Sequence, residues 1–376
     1  MYLKNLLSVF ILALLLAACQ PKEQAGYRTV VGEGKDQITV VVVKGTPYEM
    51  GQQLGRLLKD EIPKSLSQYL NLGYTVDPEK YNDQTLDAAW EAVSPYTNER
   101  FKEEIKGMAE TSGMPLEQLI RAHMIPVVSD YACSGVAVWG EASSNGHLYQ
   151  IRNLDFTMEG HLQDFPVVVI YIPNQGIPHA VPTFAGYIGA HTGMNAKGIA
   201  LGEKGASPGR EYPFDMNGIH FSTLFRDLLY DADNLDEALD MVKQAPLIKR
   251  YYFYIGDGQQ ETMGAAKIRV STPDEVKLTI WKDNDNTDEM SPNVVDNAIY
   301  YTMKNDVAFK HLTENSGSYD AQKMIELSRA VADDDGNLIN VVYDATTLEM
   351  WVAFANDMQI AGSQPYVHLN LNDYLK

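Results

Sequence analysis

Residue 133 divides this chain into two parts that obey different periodicities. Upstream, Thr46-Pro47-Tyr48-Glu49 opens a helix, with a Thr cap, Pro at the first helical position and Glu three residues beyond the cap. Leu54, Leu57, Leu58, Ile62 and Leu66 then recur on one helical face, and further helical segments cover 86–92, 99–110 and 116–124. Pro126 is expected to stop the last of these. Ahead of this block, Ile38 to Val43 is a β-branched run that reads as a strand. From Cys133 onward the pattern is extended: 133–139 is a strand, Ser143-Ser144-Asn145-Gly146 a turn, and 148–152 the returning strand. Strands at 167–172 and 199–201 follow, then helices at 221–230 and 235–243, the second with an Asn234–Glu237 capping box. Strands at 251–255, 261–268 and 276–281 lead through an acidic loop to a helix at 321–331 and a hairpin of 339–343 with 348–354. Antiparallel strands, a helix pair and more strands predict an α+β fold with sheets and helices in layers.

The chain has two cysteines. Cys19 closes the run Leu16-Ala17-Ala18-Cys19, after Lys4 and an apolar segment from Leu6 to Leu16. That is the layout of a secretory signal, too short for a permanent span of about 20 residues. The run resembles the lipobox of bacterial lipoproteins. The resemblance implies removal of residues 1–18, lipid attachment at Cys19, and a place in the bacterial cell envelope, on the outer membrane facing the periplasm or surface. An ordinary signal peptide with a coincidental Cys is the alternative. Residues 19–37 then form a tether, 38–132 a mostly helical segment, and 133–376 the main domain. With Cys19 assigned to a lipid, Cys133 is a lone thiol in an exported protein, reactive rather than structural. A net charge of −20 without basic stretches interleaved with aromatics argues against nucleic acid as a partner. No cofactor or metal is expected: there is no His-Glu-x-x-His run or Cys cluster, and Asp333-Asp334-Asp335 lacks the alternating ligands of a calcium loop.

A thiol attacks a carbonyl as thiolate, so something must take its proton. The eight histidines offer no recognisable Cys–His signature; His147 and His191, near the strands in question, read as structural or substrate-lining. A second answer needs no His. Cleavage between Ala132 and Cys133 would give Cys133 an α-amine, whose ordinary pKa of about 7.7–8.0 suits a general base near neutrality. Two strands joined by a turn return to their starting end, which brings Arg152 and Asp155 of Ile151-Arg152-Asn153-Leu154-Asp155 back beside Cys133. A guanidinium there favours thiolate, and a carboxylate can hold the α-ammonium. A buried inert thiol and a strand-end ion pair are the plain alternatives.

Cys133-Ser134 followed by Arg152-Asn153-x-Asp155 resembles the cysteine N-terminal-nucleophile (Ntn) amide hydrolases and acyltransferases, which include choloylglycine (bile salt) hydrolase, N-acylethanolamine acid amidase, acid ceramidase and isopenicillin N acyltransferase. Gly45-Thr-Pro-Tyr-Glu-Met-Gly-Gln-Gln-Leu-Gly55 and Glu104-Ile-Lys-Gly107-Met-Ala109 are similar to motifs of the isopenicillin N acyltransferase branch, as are Gly193-Met-Asn195-Ala-Lys-Gly198-Ile199 and the terminal strands 341–344 and 351–353. The resemblance implies a four-layer αββα sandwich, self-cleavage before Cys133, and hydrolysis or transfer of an acyl group from a small non-peptide amide. It also implies that the propeptide fragment stays associated. Cys133, Arg152 and Asp155 carry over as catalytic. Asn305 is the counterpart of an oxyanion asparagine, and Asn195 is a candidate substrate contact. The oxyanion pattern departs elsewhere, because Lys204 and Gly205 stand where bile salt hydrolases place an asparagine. A lipid-anchored binding protein that keeps the fold without activity is the alternative function.

Overall fold

The extended half of the chain forms two sheets stacked face to face in the computed structural model, which describes residues 26–129, 132–205, 216–248, 250–271, 277–289 and 291–376. The expected signal segment 1–18 and Cys19 lie outside these residues. The first sheet has nine strands, in the order β1 (Tyr27–Val31), β2 (Ile38–Gly45), β5 (Pro166–Pro173), β6 (His179–Phe184), β7 (Thr192–Asn195), β8 (Ile199–Gly205), β9 (Tyr251–Asp257), β10 (Gly264–Ser271) and β11 (Lys277–Trp281). The second has six, in the order β12 (Ala298–Tyr301), β3 (Ala132–Gly140), β4 (Gly146–Asp155), β13 (Ile339–Asp344), β14 (Glu349–Phe354) and β15 (Val367–Asn370). Every neighbouring pair is antiparallel except β2 and β5.

Helices cover both outer faces. Helices α6 (Phe221–Asp231) and α7 (Leu235–Gln244) pack on β7 to β10. On the other side α8 (Asn305–Asn315) and α9 (Ala321–Val331) pack on β12, β4 and β13. The inner sheet faces meet where β3 and β4 cross β8 and β9. The result is α+β with four layers, αββα.

The upstream block contributes α1 (Pro47–Leu57), α2 (Ile62–Val76), α3 (Asp83–Val93), α4 (Glu99–Ser112) and α5 (Leu116–Val128). At α1 the Thr46 hydroxyl accepts from Glu49 N at 3.3 Å and Glu49 Oε2 accepts from Thr46 N at 2.7 Å. The glycines of the two upstream motifs let α1 and α4 touch backbone to backbone. A Cβ on Gly51 would stand 1.9 Å from the Glu104 carbonyl oxygen, and one on Gly107 2.1 Å from that of Tyr48.

Three sequence expectations are corrected. The tether 19–37 contains strand β1, which pairs with β2 along Tyr27–Val31; its mostly exposed face gives it no apolar alternation to read. The strand expected at 38–43 is β2, which runs inside the first sheet between β1 and β5 at the head of the otherwise helical segment 38–132. Helix α5 runs through Pro126 to Val128 instead of ending before it. The expected strand 261–268 is displaced to Gly264–Ser271.

Candidate active site

Register decides what surrounds the lone thiol. In the β3–β4 hairpin Ala132 lies opposite Asp155, Cys133 opposite Leu154, Ser134 opposite Asn153 and Gly135 opposite Arg152. Successive side chains alternate between faces, so Cys133, Gly135, Arg152 and Leu154 share the face toward the first sheet. Ser134, Asn153 and Asp155 point to the helices. Arg152 and Asp155 thus return to the Cys133 end together, but on opposite faces.

On the inner face, Arg152 Nη2 donates to Cys133 Sγ at 3.2 Å and to Glu203 Oε2 at 3.3 Å, while its Nε donates to the Glu203 carbonyl at 3.2 Å. All three residues have no exposed surface. Gly135 is small because Tyr254 lies against it: a Cβ would meet that ring at 2.3 Å. The same Tyr254 hydroxyl donates to the Tyr301 carbonyl at 2.8 Å, closing the wall on the β12 side. Burial pushes the Cys133 thiol up to about 12; Arg152 and the Asp155 backbone N–H pull it down, and the Glu203 and Asp155 carboxylates push it up. In the uncut chain the sulfur is a thiol.

On the outer face, the Asp155 Oδ1 accepts from Asn337 Nδ2 at 2.9 Å and from Asp333 N at 3.2 Å. Its Oδ2 is buried with no hydrogen-bond partner among the described residues. Burial raises this carboxyl to about 7, against the lowering effect of those two donors and of Arg152. The Asp333 run therefore serves Asp155 through its backbone. Asn153 holds the strand to α9 by donating to the Ser328 carbonyl at 2.8 Å and accepting from its hydroxyl at 2.7 Å.

Asn305 begins α8, just after β12, and its Oδ1 accepts from Thr302 N at 2.8 Å. That turn is clasped to the residue after Cys133, because Met303 N donates to Ser134 Oγ at 3.3 Å. Asn195, by contrast, stands away from the thiol and is spent on structure. Its Oδ1 accepts from Lys197 N and Ile199 N at 3.0 and 3.1 Å, and its Nδ2 donates to the Ala232 carbonyl at 2.9 Å. The amide is fully buried and closes the β7–β8 turn through these bonds. His147 sits at the turn end of the hairpin, paired to Asp344 at 2.8 Å. His191 is half-buried beside Phe221 and Tyr187, and desolvation holds it well below the usual imidazole range.

An apolar pocket opens beside Arg152 and Leu154. Its wall takes Phe184 and Tyr187 from the first sheet side and Ile339 from β13, and Leu66, Tyr69 and Pro126 from the upstream helices. Sequence reading missed this pocket, as well as Glu203, whose partner Arg152 lies fifty-one positions away. Among the described residues no group of three or more His, Cys, Asp or Glu is placed to hold a metal ion, and no helix is long and apolar enough to cross a membrane.

The αββα sandwich with this hairpin is the arrangement implied by the resemblance to the Ntn hydrolases. Residues 142–359 match the model of the acyl-coenzyme A:6-aminopenicillanic acid acyl-transferase family, and the chain belongs to that family. It is 28% identical over 267 residues to protein dcd1B of Dictyostelium discoideum, covering 65% of this chain and 52% of that one. It is 24% identical over 169 residues to the N-acylethanolamine-hydrolyzing acid amidase of Mus musculus, covering 44% of this chain and 46% of the relative. The chain thus spans about half the length of these curated relatives. Among solved structures it is similar to the Caenorhabditis elegans N-acylethanolamine-hydrolyzing acid amidase ortholog, with 17% identity, a TM-score of 0.44, and coverage of 57% of this chain and 93% of that one.

Proposed function

We propose that this chain cuts its own Ala132–Cys133 bond and then cleaves a linear, non-peptide amide through a Cys133 thioester. The observation that carries the reading is the Cys133–Arg152 contact at 3.2 Å, on a strand whose preceding residue lies opposite Asp155. In the first phase Cys133 Sγ adds to the Ala132 carbonyl carbon, the peptide C–N bond breaks, and the nitrogen takes a proton. Water hydrolyses the resulting thioester, which leaves Ala132 as a carboxylate and Cys133 with a free α-amine. Asp155 Oδ2, buried without a partner among the described residues, is then an acceptor for the new α-ammonium.

In turnover the thiol proton passes to the α-amine and the thiolate, stabilised by Arg152, attacks the substrate acyl carbon. The developing oxyanion falls to the Asn305 carboxamide, whose oxygen is engaged by Thr302 N and whose nitrogen is the donor end. The α-ammonium protonates the leaving amine as the C–N bond breaks, and water resolves the acyl-Cys133 thioester. An amine or thiol acceptor in place of water makes the same site an acyltransferase. The apolar pocket beside Leu154 suits the acyl group. The fragments upstream of Cys133 and 133–376 stay associated through the shared sheet, and the lipobox-like run ending at Cys19 anchors the protein in the bacterial envelope. Cys19→Ser should then move it from the membrane to the soluble fraction.

The test is direct. Purified protein should run as two fragments under denaturing conditions, the larger beginning with Cys133, and should release amine from medium-chain acyl amides. Cys133→Ala should stay whole and inactive. A single intact wild-type chain without amidase activity would overturn the proposal and fit a lipid-anchored binding protein instead.

A further inference from the structure

Four cationic side chains are buried among the described residues: Arg152, Lys204, Arg226 and Lys267. Three have a carboxylate partner, since Arg152 faces Glu203, Arg226 faces Glu104 and Lys267 faces Asp288. Lys204 is 3% exposed and forms no ion pair among the described residues. Its Nζ donates to the Gly205 carbonyl at 3.3 Å and lies 4.2 Å from the centre of the Tyr301 ring. Burying an ammonium without a directly paired carboxylate is costly, and none of the described residues pairs with it, so an incoming anion is favoured at this position.

Its place in the sandwich says which anion. Strand β3 lies between β4 and β12. The β4 side of Cys133 holds Arg152, Leu154 and the apolar pocket. The β12 side holds Tyr301, opposite Gly135 in register, with the Lys204 ammonium on its ring. An amide seated on Cys133 with its acyl chain in the apolar pocket directs its amine-side substituent toward Lys204. Arg250 and Arg269 add positive field around Tyr252 and Tyr301, while Asp288, which acts on the same rings, is engaged by Lys267. Arg152 already serves the sulfur.

We propose that Lys204 receives a carboxylate on the amine side of the substrate, making this chain selective for N-acyl amino acids over neutral N-acyl amines. This rests on the amide-cleaving function proposed above. Burial lowers the Lys204 pKa, and the Cys133, Glu203 and Asp155 negative charges raise it; an incoming carboxylate acts in the same direction and keeps the ammonium charged.

The experiment compares N-decanoylglycine with N-decanoylethanolamine on self-cleaved wild-type protein and on Lys204→Met and Lys204→Arg. Wild type should favour the glycine amide in kcat/KM by roughly tenfold or more, the scale of one charge-assisted hydrogen bond. Lys204→Met should bring that ratio close to one, chiefly by raising KM for the glycine amide, and Lys204→Arg should restore part of it. Thermal melting of Lys204→Met should match or exceed wild type, because an unpaired buried charge is gone. Turnover of both amides by wild type without preference, or an equal loss of both in Lys204→Met, overturns the Lys204 assignment alone. Turnover of neither amide by self-cleaved wild type overturns it together with the hydrolase reading.

Discussion

Glu104 of α4 and Arg226 of α6 form a two-pronged ion pair, with Nη2 to Oε2 at 2.8 Å and Nη1 to Oε1 at 3.2 Å, across the proposed cleavage point. The guanidinium also stacks on Tyr171 of β5 at 3.9 Å. Both residues are buried, so each depends on the other for its charge to be tolerated. Burial raises the Glu104 carboxyl and Arg226 opposes that rise. Glu104 belongs to one of the motifs that resembled the acyltransferase branch, and its packing against α1 aims it at Arg226.

Glu104→Ala leaves Arg226 buried without its carboxylate and should cost about 3–5 kcal/mol. In self-cleaved protein the loss should appear as separation of the two fragments at lower denaturant, read by size-exclusion chromatography across a urea series. Fragments that stay together as in wild type would show that β2 in the shared sheet suffices.

Asp155 should oppose stability in the uncut chain. Its carboxyl moves from an ordinary 3.8 to about 7 on folding. Between those values the unfolded chain has released a proton that the folded chain keeps, so stability falls as pH rises from about 4 to about 7. Asp155→Asn keeps an Oδ1 acceptor for Asn337 and Asp333 and removes the titration. In a Cys133→Ala background, which keeps the chain whole, Asp155→Asn should therefore be stabilising at pH 8 and nearly neutral at pH 4 by urea unfolding. In the Cys133 protein the same change should slow self-cleavage by ~10²-fold or more, the low end for acid–base contributions. A constant difference across pH would remove the buried carboxylate as its cause.

The helix glycines carry the third expectation. Gly107→Ala puts a methyl 2.1 Å from the Tyr48 carbonyl oxygen, a backbone atom that moves only with α1. Overpacking of this kind costs typically 1–3 kcal/mol. Gly113→Ala has open space around it, and its left-handed φ of 80° is the source of any cost. Gly107→Ala should lower the melting temperature more than Gly113→Ala; the reverse order would refute the close contact of α1 with α4.

Much of this was legible because it is local. Caps at Thr46 and Asn234 are written in neighbouring residues, and the β3–β4 hairpin is a period-2 pattern around a turn. The return of Arg152 and Asp155 to Cys133 followed from that hairpin, but the faces they occupy depend on register: Arg152 is two positions and Asp155 one position from Leu154, the residue opposite Cys133, so they fall on opposite faces. Strand β6 was missed because Pro182 sits within it, and α8 because few of its residues are buried. Glu203, Lys204 and the apolar pocket are long-range, assembled by β8, β12 and the upstream helices meeting over β3. No spacing in the sequence announces them.

The Arg152 contact separates structural from electrostatic duty by a double variant. Arg152→Met alone deprives the buried Glu203 carboxylate of its guanidinium and should cost about 3–5 kcal/mol. Arg152→Met with Glu203→Met removes both charges and replaces them with apolar volume, so most of that loss should return. The thiol, however, would have lost its nearest cation at 3.2 Å. If Arg152 only props the fold, the double variant regains self-cleavage along with stability. If it serves the thiolate, stability returns while cleavage stays slow, and the pH at which Cys133 becomes alkylated by iodoacetamide rises above that of wild type. The two readouts must part company for Arg152 to belong to the site.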